Sequence, residues 1–139
     1  TLSSSSAASD VYKRQLIELM VVLGIIGIIT VIAYPSYQSY TCDTFKAQAV
    51  ADLRVCALSL DRYYSDDFTY IGAEINDGSD AGNPSICLDR SPADGNAKFN
   101  VTLPTVTLNN YIIVATPVNA DICGNTMTLS ADGSFSETL

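Results

Sequence analysis

Four cysteines are the residues of this 139-residue chain best suited to covalent chemistry, and they are Cys42, Cys56, Cys87 and Cys123. So many cysteines in a short chain predict disulfide bonds and hence an oxidising compartment outside the cytoplasm; the alternative is four free thiols. Cys42 and Cys56 would lie about 21 Å apart along a continuous helix, so a bond between them is excluded. Two pairings remain, Cys56–Cys87 with Cys42–Cys123 and Cys56–Cys123 with Cys42–Cys87. We favour Cys56–Cys87, because it would attach the start of a long loop to the preceding helix.

Glu18 is a single carboxylate within an otherwise apolar segment at residues 16–34. A charged group in the apolar part of a membrane helix costs about 2.5–3.5 kcal/mol, so such an acid is expected to have a function. The alternative is that Glu18 lies near the start of the helix and simply reaches the lipid headgroups. Both interpretations are compatible with its position.

The sequence lacks the residues that most enzymes and metal sites use. It contains no histidine, which excludes Ser-His-Asp and Cys-His catalysis and most zinc sites. Asp77 and Gly82 match the first and sixth positions of a calcium-binding loop, but Ala81 and Leu88 stand where oxygen ligands are required. We therefore predict a protein that is not an enzyme and that binds no metal or cofactor.

The charge balance argues against a nucleic-acid partner. The net charge is −8, from 15 acidic and 7 basic residues, and such a surface repels phosphate backbones. The bases in the polar part of the chain are scattered rather than aligned, and they are Lys46, Arg54, Arg62, Arg90 and Lys98. No nucleic-acid binding is expected.

Residues 16–34 are the element that positions Glu18. As a helix, these nineteen residues would span about 28 Å, close to the hydrocarbon thickness of a bilayer. No small-residue cleavage site follows, so the segment is expected to remain on the mature chain as a single membrane span. The side chains expected in an apolar membrane or filament core are Leu16, Ile17, Leu19, Met20, Val21, Val22, Leu23, Ile25, Ile26, Ile28, Ile29, Val31 and Ile32.

The helical pattern continues beyond Pro35, which is expected to bend the helix. Over residues 36–64 apolar side chains recur every three or four positions, which predicts an amphipathic helix. Its buried face would consist of Cys42, Phe45, Ala49, Leu53, Cys56, Leu60 and Tyr64. Residues 65–97 are rich in turn-forming residues and are predicted to be a long irregular loop. The aromatic residues expected to pack under this loop are Tyr63, Tyr64, Phe68 and Tyr70.

Residues 98–136 are predicted to form an antiparallel sheet. Phe99, Val101 and Leu103 alternate with polar residues, residues 111–116 are rich in β-branched side chains, and residues 125–130 alternate again. A hairpin turn is expected at residues 132–133. The expected fold class is α+β: a long N-terminal helix, apolar in its first half and amphipathic in its second, packs on a small antiparallel sheet. Residues 35–139 would form the globular head.

The first fifteen residues are predicted to be foreign to the protein. One back-translation of residues 5–15 resembles a transposase-type sequencing adapter, which indicates read-through in an assembled gene. The alternative is a genuine polar leader. Lys13 and Arg14 would then be foreign as well, so their positive charges do not indicate which end of the membrane span faces the cytoplasm.

The run that begins Leu16-Ile17-Glu18 and continues to Tyr40 closely resembles the N-terminal signature of type IV pilins and the related pseudopilins. Residues 61–70 and 123–129 also resemble minor pilins of the PilE kind. The family's mature chain begins with a methylated phenylalanine, so the native leader and first mature residues would be missing here. The resemblance implies the pilin fold and a subunit of a type IV pilus, more specifically a minor pilin, in adhesion, motility or DNA uptake machinery.

The resemblance also implies roles for individual residues. Glu18 would pair with the N-terminal ammonium of a neighbouring subunit in the filament core, where two charges are tolerated only as a pair. The stretch from Gly27 to Pro35 matches the part of the family's helix that unwinds in filaments; for Gly24 and Gly27 the alternative is ordinary small-residue packing.

The implied partners are other pilin subunits and the pilus assembly machinery. The implied location is the bacterial inner membrane, with the head in the periplasm, before assembly and the extracellular filament afterwards. Two other functions are compatible with these features. A type II secretion pseudopilin would share the helix, although the cysteines and the long loop favour a pilus. A membrane-anchored periplasmic binding domain would use the helix only as an anchor.

Overall fold

The computed structural model describes residues 4–75, 82–119 and 123–138. Within these ranges the elements are a long helix and seven strands: α1 (Ser4–Asp67), β1 (Glu74–Ile75), β2 (Asn83–Pro84), β3 (Arg90–Ser91), β4 (Phe99–Val106), β5 (Tyr111–Pro117), β6 (Thr126–Ser130) and β7 (Phe135–Thr138). The chain divides into two compact units, Thr1–Tyr40 and Thr41–Leu139.

The first unit contains the apolar part of α1. The helix continues through Gly27 and through Pro35, which lies inside it. Proline removes one backbone hydrogen bond from a helix but leaves the other bonds of the same turn in place. Residues 4–15, which the sequence predicts to be foreign, are also helical.

The second unit has a core made by one face of α1 and one face of the main sheet. Ala49, Leu53 and Leu60 are fully buried on α1, at the spacing that the sequence predicted for a buried face. From the sheet, the buried side chains are Phe99, Val101, Leu103, Tyr111, Ile113, Ala115, Met127 and Leu129. They alternate along each strand because successive side chains point to opposite faces. The predicted α+β class, with a helix on an antiparallel sheet, is confirmed.

The main sheet has the order β3-β4-β5-β6-β7, and all of its neighbouring strands are antiparallel. Val101 lies opposite Ala115, and Ile113 lies opposite Leu129, so the buried residues of adjacent strands are in register. A tight turn joins β6 to β7, and Gly133 adopts φ 81° there, which only glycine tolerates without strain. The strands predicted from the alternation at residues 99–103 and 125–130 are present as β4 and β6.

The segment predicted as an irregular loop, residues 65–97, contains more regular structure than its composition indicates. The helix continues to Asp67, and β1 pairs with β2 as a separate two-stranded sheet while β3 pairs with β4. Each of these three strands has only two residues, too few to produce a period-2 pattern in the sequence. Each pairs with a strand only eight to ten residues away, and bonds such as that from the Leu103 N–H to the Gly82 carbonyl connect this region to the main sheet.

Candidate functional site

The apolar part of α1 is an exposed surface in the single chain. Every residue from 11 to 40 is exposed, and the large apolar side chains reach 74% exposure at Val31. The region Val11–Asp67 includes a window long and apolar enough to cross a membrane, and none of that window is buried. Apolar surface of this extent is unfavourable in water. This surface therefore requires an apolar environment outside the chain itself.

Glu18 lies within this exposed surface. Its neighbours Ile17 and Leu19 are both more than half exposed, and Val21 and Val22 follow it on the same helix face, whereas Arg14 and Gln15 lie one turn before it. Among the described residues, no ion pair involves Glu18. A carboxylate in an apolar setting is tolerated when it meets a cation. The arrangement can therefore form one charge-paired contact with another molecule.

The glycines of this helix leave open space on its surface. A Cβ atom built at Gly24 or Gly27 would meet nothing within 4 Å, so packing inside the chain does not require glycine at either position. Small residues allow two helices to approach closely in an apolar medium. The Thr30 hydroxyl donates a hydrogen bond to the Ile26 carbonyl at 2.7 Å, so this polar group has a partner within its own helix. The surface is thus suited to close packing against another helix.

The disulfides attach the head to the amphipathic half of α1. The structure joins Cys56 to Cys87 and Cys42 to Cys123, with Cα–Cα distances of 5.2 and 5.6 Å. This is one of the two pairings that the sequence left open. Each bond connects α1 to a later segment of the head, and all four cysteines are used. Cross-links of this kind constrain the unfolded chain and so stabilise the fold.

Two buried tyrosines and one acid form a cluster that sequence reasoning missed. The Tyr70 hydroxyl donates to Asp61 Oδ1 at 3.3 Å, and the rings of Tyr70 and Tyr111 meet edge to face with centroids 4.8 Å apart. Burial, and then the charge of Asp61, raises the pKa of Tyr111 to about 12 and also raises the pKa of Tyr70. Both hydroxyls therefore hold their protons more tightly than an exposed tyrosine does. Nothing in the local pattern around residue 111 signals this contact.

The aromatic residues at the end of α1 are only partly packed, contrary to expectation. Tyr70 is buried and Tyr63 and Tyr64 are half-buried, but Phe68 is 76% exposed. Phe68 also adopts φ 54°, in the left-handed region. The prediction that all four pack under the loop is therefore wrong for Phe68. The reason is that the chain leaves α1 at this residue, and the left-handed backbone turns its side chain outward.

Among the described residues of the second unit, three shallow clefts illustrate the available surface. One, of about 430 Å³, lies beside the Cys56–Cys87 bond; one of about 360 Å³ lies between α1 and the β6–β7 turn; one of about 530 Å³ is lined by Tyr70, Asn109 and Asp132. In the described ranges no His, Cys, Asp or Glu residues are grouped to hold a metal. The candidate calcium loop at Asp77 falls largely on residues 76–81, which lie outside those ranges. The clefts supply surface for binding.

Comparison with known proteins gives two matches. Residues 35–128 match the family model described as type IV minor pilin ComP, DNA uptake sequence receptor. The crystal structure of the Neisseria meningitidis non-core minor pilin PilV is similar in fold, with a TM-score of 0.51 and 20% identity, over 72% of this chain and 89% of that one. No curated protein matches the sequence. The family match covers most of the chain, from the end of the apolar segment to β6.

Proposed function

The chain belongs to the type IV minor pilin ComP family, and on that premise we propose that it is a structural subunit that assembles into a type IV pilus through the apolar part of α1. The observation that carries the proposal is the exposed apolar surface of residues 16–34 with a single acid in it. A membrane would cover this surface before assembly, and the helices of other subunits would cover it in the filament. The function is assembly rather than chemical catalysis.

Glu18 is the proposed assembly contact. Its carboxylate would pair with the N-terminal ammonium of a neighbouring subunit, so that neither charge remains alone in the apolar core. One such pair per subunit would also define the register between helices, as single polar residues do in coiled coils. The exposure of Glu18 among apolar neighbours supports this role.

The stretch from Gly27 to Pro35 is proposed to unwind in the filament. It is helical in the single chain, but glycine is a weak helix former and proline removes a backbone hydrogen bond. Pro35 also lies close to the boundary at Tyr40 between the two compact units. Local unwinding there would change how far apart the heads lie along a filament.

Pilus assembly is favoured over the two other functions. A type II secretion pseudopilin would share the helix, but the family that matches residues 35–128 is one of pilus subunits. A periplasmic binding domain with a simple anchor would have no need of an acid in its apolar segment. We therefore place the protein in the inner membrane with a periplasmic head before assembly, and in an extracellular pilus afterwards.

The family description names reception of a DNA uptake sequence, but we propose that this chain does not bind DNA itself. Its second unit carries five basic and thirteen acidic residues. Lys46 pairs with Glu137 at 2.8 Å, Arg90 contacts Asp89, and Lys98 lies over a phenyl ring. Few cations are thus available to replace the counterions of a phosphate backbone, which is the main source of DNA affinity. A gel-shift titration with duplex DNA at low salt should detect no complex; saturable binding would contradict this part of the proposal.

The assembly role is tested by the variant Glu18→Ala in a chain that carries a native prepilin leader. We expect the variant to remain in the membrane fraction but to be missing from sheared pili, because the helix is still apolar and only the charge pair is lost. Immunoblots of the two fractions measure this. Thr30→Ala, on the same helix, is the matched control and should assemble normally. Normal incorporation of Glu18→Ala would contradict the proposed contact.

A second measurement separates a pilin from an anchored domain. Mass spectrometry of the mature N-terminus should find a processed and methylated first residue if the protein enters the pilin pathway. An unprocessed N-terminus on protein with a native leader would support the simple anchor.

A further inference from the structure

The C-terminal end of α1 combines three features that each oppose local stability. Phe68, directly after the helix, has φ 54°, a conformation that favours glycine. Its ring is 76% exposed. Asp66 and Asp67 lie in the last turn of α1, which contains no basic residue, although the helix dipole there favours cations. Unfavourable choices that converge at one place indicate a function served by that place.

Phe68 is part of a larger exposed apolar surface. Ile71 and Leu108 are also more than half exposed, and we call Phe68, Ile71 and Leu108 the α1-end patch. Tyr70 lies between Phe68 and Ile71 in sequence and donates its backbone N–H to the Leu108 carbonyl at 3.3 Å, which brings Leu108 close to this segment. Exposed apolar groups that lie close together are typical of interaction sites.

Side chains at the end of α1 contact the patch and its backbone. The Tyr64 ring stacks on Tyr70 with centroids 4.7 Å apart and meets Phe68 edge on at 6.5 Å. The Tyr63 hydroxyl donates to the Ile71 carbonyl at 3.1 Å, and a Cβ at Gly72 would lie only 2.9 Å from that hydroxyl oxygen. A preorganised patch loses little conformational entropy when it binds.

The charges beside the patch are mainly negative. Asp61, Asp66 and Asp67 are exposed on the last two turns of α1, against the single base Arg62. The partner must therefore present positive charge together with apolar groups. An exposed phenyl ring also attracts cations through its face.

We propose that the α1-end patch docks a basic, apolar segment of a partner protein. Phe68 is the anchor, Ile71 and Leu108 contact the partner's apolar side chains, and Asp66 and Asp67 pair with its lysine or arginine residues. A second copy of this chain fits poorly, because the same carboxylates would face each other. Duplex DNA fits poorly for the same electrostatic reason.

This inference goes beyond the proposed assembly role and is tested separately from it. The patch belongs to the second compact unit, whereas Glu18 belongs to the first. A variant that fails to enter pili can therefore still bind through the patch, and the converse also holds. Failure of one proposal would leave the other standing.

The test is a binding titration of the full chain in non-ionic detergent micelles. The probe is a fluorescent synthetic peptide of alternating arginine and leucine, followed by anisotropy, with empty micelles as the blank. We expect salt-dependent binding that weakens about tenfold in Phe68→Ala, as for an interface anchor. Asp66→Asn with Asp67→Asn should weaken binding and reduce its salt dependence. Leu88→Ala and Asp94→Asn, exposed outside the patch, are the matched controls and should bind like the parent chain.

The variant Phe68→Gly separates a binding role from a structural one. Because φ 54° suits glycine, this variant should keep or raise the melting temperature while it loses binding as Phe68→Ala does. Unchanged peptide binding by Phe68→Ala, or a lower melting temperature for Phe68→Gly, would overturn the proposal. So would saturable binding of duplex DNA at the patch, or a self-association of the parent chain that Phe68→Ala abolishes.

Discussion

The Ser91 hydroxyl donates a hydrogen bond to Asp52 Oδ2 at 2.5 Å, although the two residues are thirty-nine positions apart. Ser91 belongs to the two-residue strand β3 and is completely buried, whereas Asp52 lies on α1 and is partly exposed. A bond from a buried hydroxyl to a carboxylate is charge-assisted and stronger than a neutral one. It therefore ties the edge of the main sheet to the helix, close to the Cys56–Cys87 bond.

Removing the acceptor of this bond should cost more than removing the donor. Asp52→Ala leaves the buried Ser91 hydroxyl without a partner, and we expect a loss of about 1–3 kcal/mol in the free energy of unfolding. Ser91→Ala should cost less, because water can still solvate Asp52. Urea denaturation of both single variants and of the double variant measures the coupling. Asp94→Ala is the exposed control; equal losses at positions 52 and 94 would contradict the prediction.

Two leucines on the same helix should respond very differently to truncation. Leu53 is fully buried against the sheet, whereas Leu58 is 52% exposed. Leu53→Ala removes buried methyl groups and leaves a cavity, at an expected cost of about 3–5 kcal/mol. Leu58→Ala should change the free energy of unfolding by less than about 0.5 kcal/mol. Comparable midpoints for the two variants in urea would show that the amphipathic face is not packed as described.

The disulfides should contribute a large share of the head's stability. The Cys56–Cys87 bond closes 31 residues and the Cys42–Cys123 bond closes 81. On the chain-entropy account, paired serine substitutions should each cost about 3–5 kcal/mol, and slightly more for the longer loop. Thermal denaturation without reductant measures the losses. Peptide mapping of the unreduced chain checks the pairing, and a Cys56–Cys123 peptide would contradict it.

Stability should decline at alkaline pH because of Tyr111. Burial and the nearby Asp61 carboxylate raise the pKa of Tyr111 from 10.0 to about 12, so the folded chain holds this proton after the unfolded chain has lost it. Its contribution is complete below pH 10 and is lost as pH rises towards 12, by roughly 1–2 kcal/mol. Tyr111→Phe should flatten this decline and leave only the contribution of Tyr70, whose pKa is also raised. Denaturation midpoints across this pH range provide the measurement.

The regular elements could be predicted because they depend on residues close together in sequence. The spacing of Ala49, Leu53 and Leu60 indicates a helix with one buried face, and the alternation through Phe99 and Val101 indicates a strand. Both patterns follow from the geometry of a helix and of a pleated strand. The apolar run with its single acid was equally visible, because it is a property of composition.

The contacts at the head could not be predicted in the same way. Phe68 was expected to be packed, and the structure leaves it exposed because its backbone is left-handed where α1 ends. The three strands β1, β2 and β3 are too short to have a pattern of their own. Their short local pairings are connected to the rest of the head by contacts such as that of Ser91 with Asp52.

The four cysteines show most clearly what the sequence determines and what only the tertiary structure decides. The sequence alone determined that Cys42 and Cys56 cannot join, since a helix between them sets their separation. It left two pairings open, because each is compatible with the helix. Only the tertiary structure decided between them, by bringing Cys87 to within 5.2 Å of Cys56 and Cys123 to within 5.6 Å of Cys42, measured between Cα atoms. The sequence determined the long helix, the main strands and the apolar segment of this pilin, and long-range packing decided which residues meet, because distance along the chain does not specify distance in space.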